Sequence, residues 1–200
     1  MAKIKLKTLV VAAYAQELLH LCEFGNKHFV MQDGNGFLAA GIGPVAASFG
    51  LTHCLKDYAP EIIITLGTAG IINTNKFKIG DVVLARKVST NSASPDVYTP
   101  EKISNLECPL PSTFETANVF CPQEITCSEA RRQILLKENH DVENLETYAF
   151  YFVAKKFQIP IMGFLGLTNI VGPNAHEEWK ENEAKVCERL SQIIKEKINF

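Results

Sequence analysis

The chain has 200 residues, 46% of them hydrophobic and 21% charged, with 20 basic against 22 acidic side chains and a net charge of −2. This is the balance of an ordinary soluble globular chain, long enough to build one substantial core. No block of like charge is long enough to track phosphates, which argues against a nucleic-acid partner, and no apolar run approaches the roughly 20 residues that span a bilayer.

The opening residues, MAKIKLKTLVVAAYA, admit two readings. Three lysines, a short apolar run and an Ala13-Tyr14-Ala15 triplet fit a minimal signal peptide. The apolar run, Leu9 to Ala13, is at or below the lower limit for a signal core, so the first strand of an α/β sheet is preferred and a cytoplasmic location is expected.

Strand and helix signals then alternate. KTLVVAA (7–13) reads as a buried strand and QELLHLC (16–22) as a short helix. HFVMQ and GFLAAGI flank DGNG (33–36), a hairpin signal. PVAASFGLTHCLKDY (44–58) reads as a helix with Pro44 in its first turn. EIIITLGTAG (61–70) and GDVVLARKVS (80–89) are further strands. Residues 90–116, rich in Ser, Pro, Asn and Thr, read as a long loop. EARRQILLKE (129–138) and LETYAFYFVAKKF (145–157) are helical, and IPIMGFLGL (159–167) is a fourth buried strand. A long amphipathic helix (177–198) closes the sequence, with Val186, Leu190, Ile194 and Ile198 on one stripe. Near-continuous apolar strands separated by helices mean a sheet covered on both faces, and the hairpin makes it mixed: a single-domain, three-layer α/β/α fold over residues 1–200. Ligands of such sheets sit at the carboxyl ends of strands.

The six cysteines form no CxxC pair, and the five histidines show no metal-ligand spacing, so no metal site is expected and buried reduced thiols are the default. At strand ends the chain offers two carboxylates, Glu17 and Glu146, the glycine-rich turn Gly67-Thr68-Ala69-Gly70, and the pair Thr168-Asn169. Each has a plain structural reading. Glu17 fits a solvated helix residue, Glu146 a first-turn acid, the glycines a tight turn, and Asn169 a cap before Gly172-Pro173. GTAG is neither a Walker A loop nor GxGxxG.

Order and spacing add more than the pieces. GIGPVAA (41–47), IIITLGTAGIIN (62–73) followed by KIGDVV (78–83), VENLE (142–146) and LTNIVGP (167–173) resemble, in this order, the purine nucleoside phosphorylase/uridine phosphorylase superfamily. Within it the chain is most similar to the nucleoside hydrolases. VENLE and TNIVGP followed by Trp179 resemble the futalosine hydrolase group, with methylthioadenosine/S-adenosylhomocysteine nucleosidases next nearest.

The resemblance implies hydrolysis of the C1′–N9 bond of a purine nucleoside through an oxocarbenium-like state, in a homodimer, without cofactor or metal. It implies Glu17 as general base for water and Glu146 as acceptor of the ribose hydroxyls. Leu145 and Thr68 would line the sugar pocket, and Thr168 and Asn169 would face the purine. Phe120 is the nearest candidate for an aromatic against the base, with Tyr14, Gln123 and Glu124 as further candidates. Two departures matter. Asn169 stands where adenosine-type nucleosidases carry an aspartic acid. It donates a hydrogen bond but no proton, which suits hypoxanthine as leaving group and hence futalosine, cleaved to hypoxanthine and dehypoxanthine futalosine in the route to menaquinone. Asn174 stands where futalosine hydrolases often carry arginine. An Asn amide also pairs with adenine N6 and N7, so aminofutalosine, methylthioadenosine and S-adenosylhomocysteine stay open as substrates, as does a non-catalytic purine nucleoside-binding protein. Phosphorylases of the superfamily hold phosphate with arginines, one from the first strand-to-helix loop; residues 12–17 contain none, which favours water as the acceptor.

Overall fold

The computed structural model describes residues 2–25, 27–90 and 114–197. Most of the loop read over 90–116, together with Cys108 and Ile198, lies outside them. Eight strands form one mixed sheet: β1 Ile4–Ala12, β2 Phe29–Gln32, β3 Asn35–Ala39, β4 Tyr58–Ile71, β5 Val82–Thr90, β6 Glu115–Cys121, β7 Val142–Glu143 and β8 Ile161–Ile170. The described helices are α1 Pro44–Asp57, α2 Glu129–Lys137, α3 Thr147–Phe157 and α4 Ala175–Lys197.

The strands are apolar on both faces because both faces are covered. Leu9 and Val11 of β1, Ile63 of β4, and Ile161 and Leu165 of β8 join one core with residues of α1 and α3. Their neighbours Val10, Ala12, Ile64, Leu66, Met162 and Phe164 join a second core with Leu190 and Ile194 of α4. The two-residue alternation of strand side chains sends every second residue to each layer. Val186, Leu190 and Ile194 are buried as the helical stripe requires. Cys22, Cys54, Cys121 and Cys187 are buried free thiols, and Cys127 is exposed.

Strand order is β2-β3-β1-β4-β7-β6-β5-β8, and β8 also pairs with β4. Strands β4, β7, β6, β5 and β8 therefore close on themselves, while β1, β3 and β2 extend from one side. β4 makes this possible by changing partner. Tyr58 to Thr65 pair with β1, whereas Gly70 and Ile71 pair with β7, and β8 runs along the other edge. Register shifts at Ala69/Gly70 and Ala85/Lys87 supply the curvature that closure needs.

Three local expectations change. Residues 16–22 do not form an α-helix. A 3-10 turn spans Ala15–Leu18, and the chain leaves it through Leu21 and Cys22 N–H bonds to the Leu18 carbonyl. β6 and β7 were not expected as strands. β6 follows a Ser/Pro-rich stretch, and β7 has only two residues, held by β4 on one side and β6 on the other. α3 starts at Thr147 because Asn144 Oδ1 accepts the Glu146 and Thr147 N–H groups and the Thr147 hydroxyl, capping the first turn. No described helix is long and apolar enough to cross a membrane.

Candidate active site

β1, β4 and β8 are parallel, so their carboxyl ends open on one edge. The segment 143–146 crosses the same edge, because β7 runs antiparallel to the last residues of β4. This topology gathers Glu17, Thr68, Glu146, Thr168 and Asn169 from distant parts of the sequence.

Glu17 turns inward from the 3-10 turn and is 3% exposed. Its Oε2 accepts the Ala13 N–H at 3.0 Å and its Oε1 the Thr68 N–H at 3.0 Å, with the Thr68 hydroxyl at 3.5 Å. Burial, then the nearby Glu146 charge, push its pKa up to about 8 against the lowering effect of these N–H donors. Glu146 is 7% exposed, and its Oε1 accepts the Gly43 N–H at 2.8 Å. Burial raises its pKa too. Gly43 presents that N–H from a left-handed backbone, φ 84°, at the start of α1, a conformation open to glycine and strained for other residues. The two carboxylates line one tight crevice with Ala13, Gly67, Asn144 and Phe150, closed in this structure to a molecule the size of water.

Asn144 ties this half together. Its Nδ2 donates to the Thr68 carbonyl at 2.9 Å while its Oδ1 caps α3. Thr68 also receives the Trp179 indole N–H on its hydroxyl at 3.3 Å. Asn182 Nδ2 donates to the Thr168 carbonyl at 3.1 Å, so α4 is bonded to two strand ends. Tyr14 donates to Glu183 of the same helix.

Asn169 is 8% exposed, and Thr168 is fully buried. The Thr168 hydroxyl donates to Asn169 Oδ1 at 2.9 Å. Among the described residues the amide NH2 makes one long contact, 3.4 Å, to the Ile170 carbonyl. Gly70 faces Asn169 across the β4–β8 pairing, and a Cβ there would meet Asn169 Nδ2 and Val171 Cγ2, each at 2.9 Å. The bare backbone of Gly70 therefore leaves the room in which the carboxamide lies.

Of the remaining expected residues, Leu145 is half-buried beside Glu146 and Gln123 is exposed. Phe120 is 4% exposed and packs with Ile72, Leu135 and Val171. The His140 ring lies 4.9 Å from its centroid and the Arg131 guanidinium 5.8 Å, which makes Phe120 a wall of the core rather than an open platform. Asn144, Gly43 and Trp179 carry the site's internal bonds; all three belong to the motifs that carry the family resemblance, and none is among the expected site residues.

A sequence profile described as the phosphorylase superfamily matches residues 5–199, and the chain belongs to that family. Among curated relatives it is 23% identical to a 5′-methylthioadenosine/S-adenosylhomocysteine nucleosidase of Haemophilus ducreyi, over 95% of this chain and 96% of that protein. Among solved structures it superposes on the futalosine hydrolase of Helicobacter pylori with a TM-score of 0.79 at 14% identity, covering 97% of each chain. The Helicobacter pylori 5′-methylthioadenosine/S-adenosylhomocysteine nucleosidase, solved with butyl-thio-DADMe-Immucillin-A, gives 0.79 at 14% identity over 100% of this chain and 99% of that one. These likenesses match the mixed α/β architecture described above.

Proposed function

We propose that this chain is an N-ribosyl hydrolase of purine nucleosides, with Glu17 as general base, and that futalosine is its substrate. The observation that carries the reading is the Glu17–Glu146 pair, two buried carboxylates in one cleft at strand ends. Each is held by backbone N–H groups, and among the described residues neither is paired with a cationic side chain. Glu17 Oε1 and Oε2 each keep a lone pair beyond those N–H bonds, so the ionised group can take a proton from water. Glu146 accepts the ribose 2′- and 3′-hydroxyls, and its negative charge stabilises the cationic sugar as C1′–N9 breaks. The electron pair leaves with the purine. Asn169, oriented by Thr168, donates its N–H to N7 and spreads the developing charge without transferring a proton.

Water is favoured over phosphate because the four arginines, Arg86, Arg131, Arg132 and Arg189, all lie outside the loop after β1. Arg132 is committed to Glu129 and to the Ile72 carbonyl. A second reading, release of adenine from aminofutalosine, methylthioadenosine or S-adenosylhomocysteine, is favoured by the names of the relatives. The exposed apolar residues Ile42, Val45 and Phe49 at the start of α1 support the homodimer, since α3 buries most of its own apolar side chains.

The test is a base-release assay without phosphate on futalosine, aminofutalosine, methylthioadenosine and inosine, followed by chromatography. Hypoxanthine from futalosine is the expected result. Adenine from the amino substrates moves the assignment to the second reading. Release that requires added phosphate overturns the hydrolase, and no release from any substrate leaves a binding protein.

A further inference from the structure

The 3-10 turn that carries Glu17 is weakly held by its own bonds. It spans only Ala15–Leu18, and among the described residues no side chain caps it. Its backbone bonds are long: the Glu17 N–H reaches the Tyr14 carbonyl at 3.3 Å and the Leu19 N–H the Gln16 carbonyl at 3.4 Å. A single turn fixes several dihedral angles for little hydrogen-bond energy, so it keeps its shape only with outside support. Leu18, fully buried in the second core, anchors one end. The other end is Tyr14, whose side chain reaches α4.

α4 reaches Glu17 by two routes. Trp179 donates its indole N–H to the Thr68 hydroxyl at 3.3 Å, and Thr68 donates its own N–H to Glu17 Oε1 at 3.0 Å. Glu183 accepts the Tyr14 hydroxyl, and the Tyr14 carbonyl accepts the Glu17 N–H. The first route acts on the carboxylate and the second on the backbone that carries it. Trp179 and Glu183 lie one turn apart on one face of the helix. Cys187, a further turn along, is 1% exposed. Burial, then the charges of Glu17 and Glu183, push its thiol up to about 12, so both carboxylates lie close to it. Beyond it the same face is apolar and buried, through Leu190 and Ile194. A half-buried carboxylate at 183 is the exception on that face, and the Tyr14 phenol is its partner. A hydrogen bond to an ionised acceptor is roughly twice as strong as one between neutral groups. Burial, then the bond to Glu183, hold the phenol well above its ordinary pKa, so at neutral pH it remains a donor.

We propose that Glu183 is a positioning residue for Glu17, acting through Tyr14: the phenol–carboxylate bond fixes the residue that precedes the turn and so keeps the Glu17 carboxylate on the Ala13 and Thr68 N–H groups. The inference rests on the reading of Glu17 as general base and gives that base a tether on a helix 166 positions further along the chain. Neither Tyr14 nor Glu183 takes part in the bond-breaking steps described above. A misplacement of about 1 Å in a catalytic group can cost about 10²-fold in rate. A bond that removes slack from the turn therefore counts in kcat rather than in KM.

Four variants test the tether by base release and by amide hydrogen exchange: Tyr14→Phe, Glu183→Ala, Glu183→Gln and the double variant Tyr14→Phe/Glu183→Ala. Tyr14→Phe and Glu183→Ala should each lower kcat about tenfold and leave KM within about twofold. The double variant should lose no more than either, because both substitutions break the same bond. Glu183→Gln, whose amide oxygen still accepts the phenol, should recover most of the loss. Exchange reads the tether without substrate. In Tyr14→Phe the protection of the Ala13 and Thr68 N–H groups should fall about tenfold, while that of Val10 and Ile64 within the strands stays as it was. Unchanged kcat and unchanged exchange overturn the proposal, and so do additive losses in the double variant. A Gln variant as slow as the Ala variant also overturns it, since charge rather than position would then be at work. An equal fall in protection at all four amides does the same, as the mark of a general loss of stability. If the unmodified protein cleaves no nucleoside, the hydrolase reading fails and exchange alone decides the tether. If it cleaves and the variants match it, the tether fails and the hydrolase reading stands.

Discussion

The two walls of the cleft are built on opposite principles. On the sugar side, Glu17, Glu146, Asn144 and Thr68 are bonded to one another's backbone or to Ala13 and Gly43. On the other side, among the described residues, Asn169 keeps a donor end with one long contact, and one oxygen of Glu143 has no hydrogen bond. The first wall is preorganised: its carboxylates are already oriented, so little reorganisation is left for the reaction step. The second wall is less fully bonded. Under the proposed function, the first wall serves the reaction step and Asn169, on the second, faces the purine.

The comparison breaks most visibly at Glu17. Glu17→Gln keeps the size of the side chain and leaves an amide oxygen for one N–H donor, but it removes the proposed base. Steady-state base release should fall by about 10³-fold with little change in KM. Retention of more than a tenth of the rate would take the base role away from Glu17.

Next in size is pH. With a Glu17 pKa of about 8 in the free protein, kcat/KM should rise about tenfold per pH unit from pH 6 and level off near pH 8. Stability should move the other way. The folded state holds its proton to a higher pH than the unfolded chain, so between the usual carboxylate value of 4.5 and about 8 the native form binds more protons, and stability declines as pH rises. Thermal melts and pH–rate profiles on one preparation check both slopes. A rate flat from pH 6 to 8 would show that Glu17 is already ionised in the free protein.

Glu146→Gln keeps an acceptor for the Gly43 N–H and removes the charge proposed to lie beside the ribose. A loss of about 10- to 100-fold in kcat/KM is expected, the scale of a charge-assisted hydrogen bond. A 2′-deoxynucleoside should lose less from this substitution than the ribonucleoside, which ties the effect to the hydroxyl contact.

Gly70→Ala crosses from one wall to the other. The new methyl would meet Asn169 Nδ2 and Val171 Cγ2, so the melting temperature should drop, for about 1–3 kcal/mol of overpacking, and base release should fall with it. The smallest effect belongs to Thr168→Val, which removes the bond that orients the Asn169 amide. It should cost about 1 kcal/mol of stability and several-fold in rate, with hypoxanthine nucleosides affected more than adenine ones.

Legibility in the sequence follows the same division. β1, β4 and β8 were readable because a strand covered on both faces must be apolar throughout, and α4 because a surface helix must carry a stripe. β7 was not readable, since two residues hold no period, and its pairing depends on β4 and β6 being in place. Glu17 and Glu146 were marked by their position after strands within a known family pattern. Their bonding was not, because the partners are backbone N–H groups of Ala13, Thr68 and Gly43, which have no side-chain signature. Glu143 is silent in the sequence for a related reason: what sets it apart is an unpaired atom, and a sequence does not show what is unpaired. Phe120 is an aromatic near the expected place in the sequence, and tertiary packing against Ile72, Leu135 and Val171 encloses it.

The change of partner along β4 has a consequence for how the molecule comes into being. The residues of β4 that form the centre of the cleft pair with β7 and β8, whose residues lie roughly seventy to a hundred positions further along the chain. During synthesis the hairpin, β1 and the first half of β4 can pair while the rest is still being made. The glycine-rich end of β4 must wait until the last third of the protein has emerged. Closing so long a loop is slow, and until it closes an apolar strand edge stays open. Newly made chains should thus pass through a stage with a formed N-terminal sheet and no cleft, when they are most prone to aggregate. Ligand cannot rescue them at that stage, because the two walls it would bridge have not yet met.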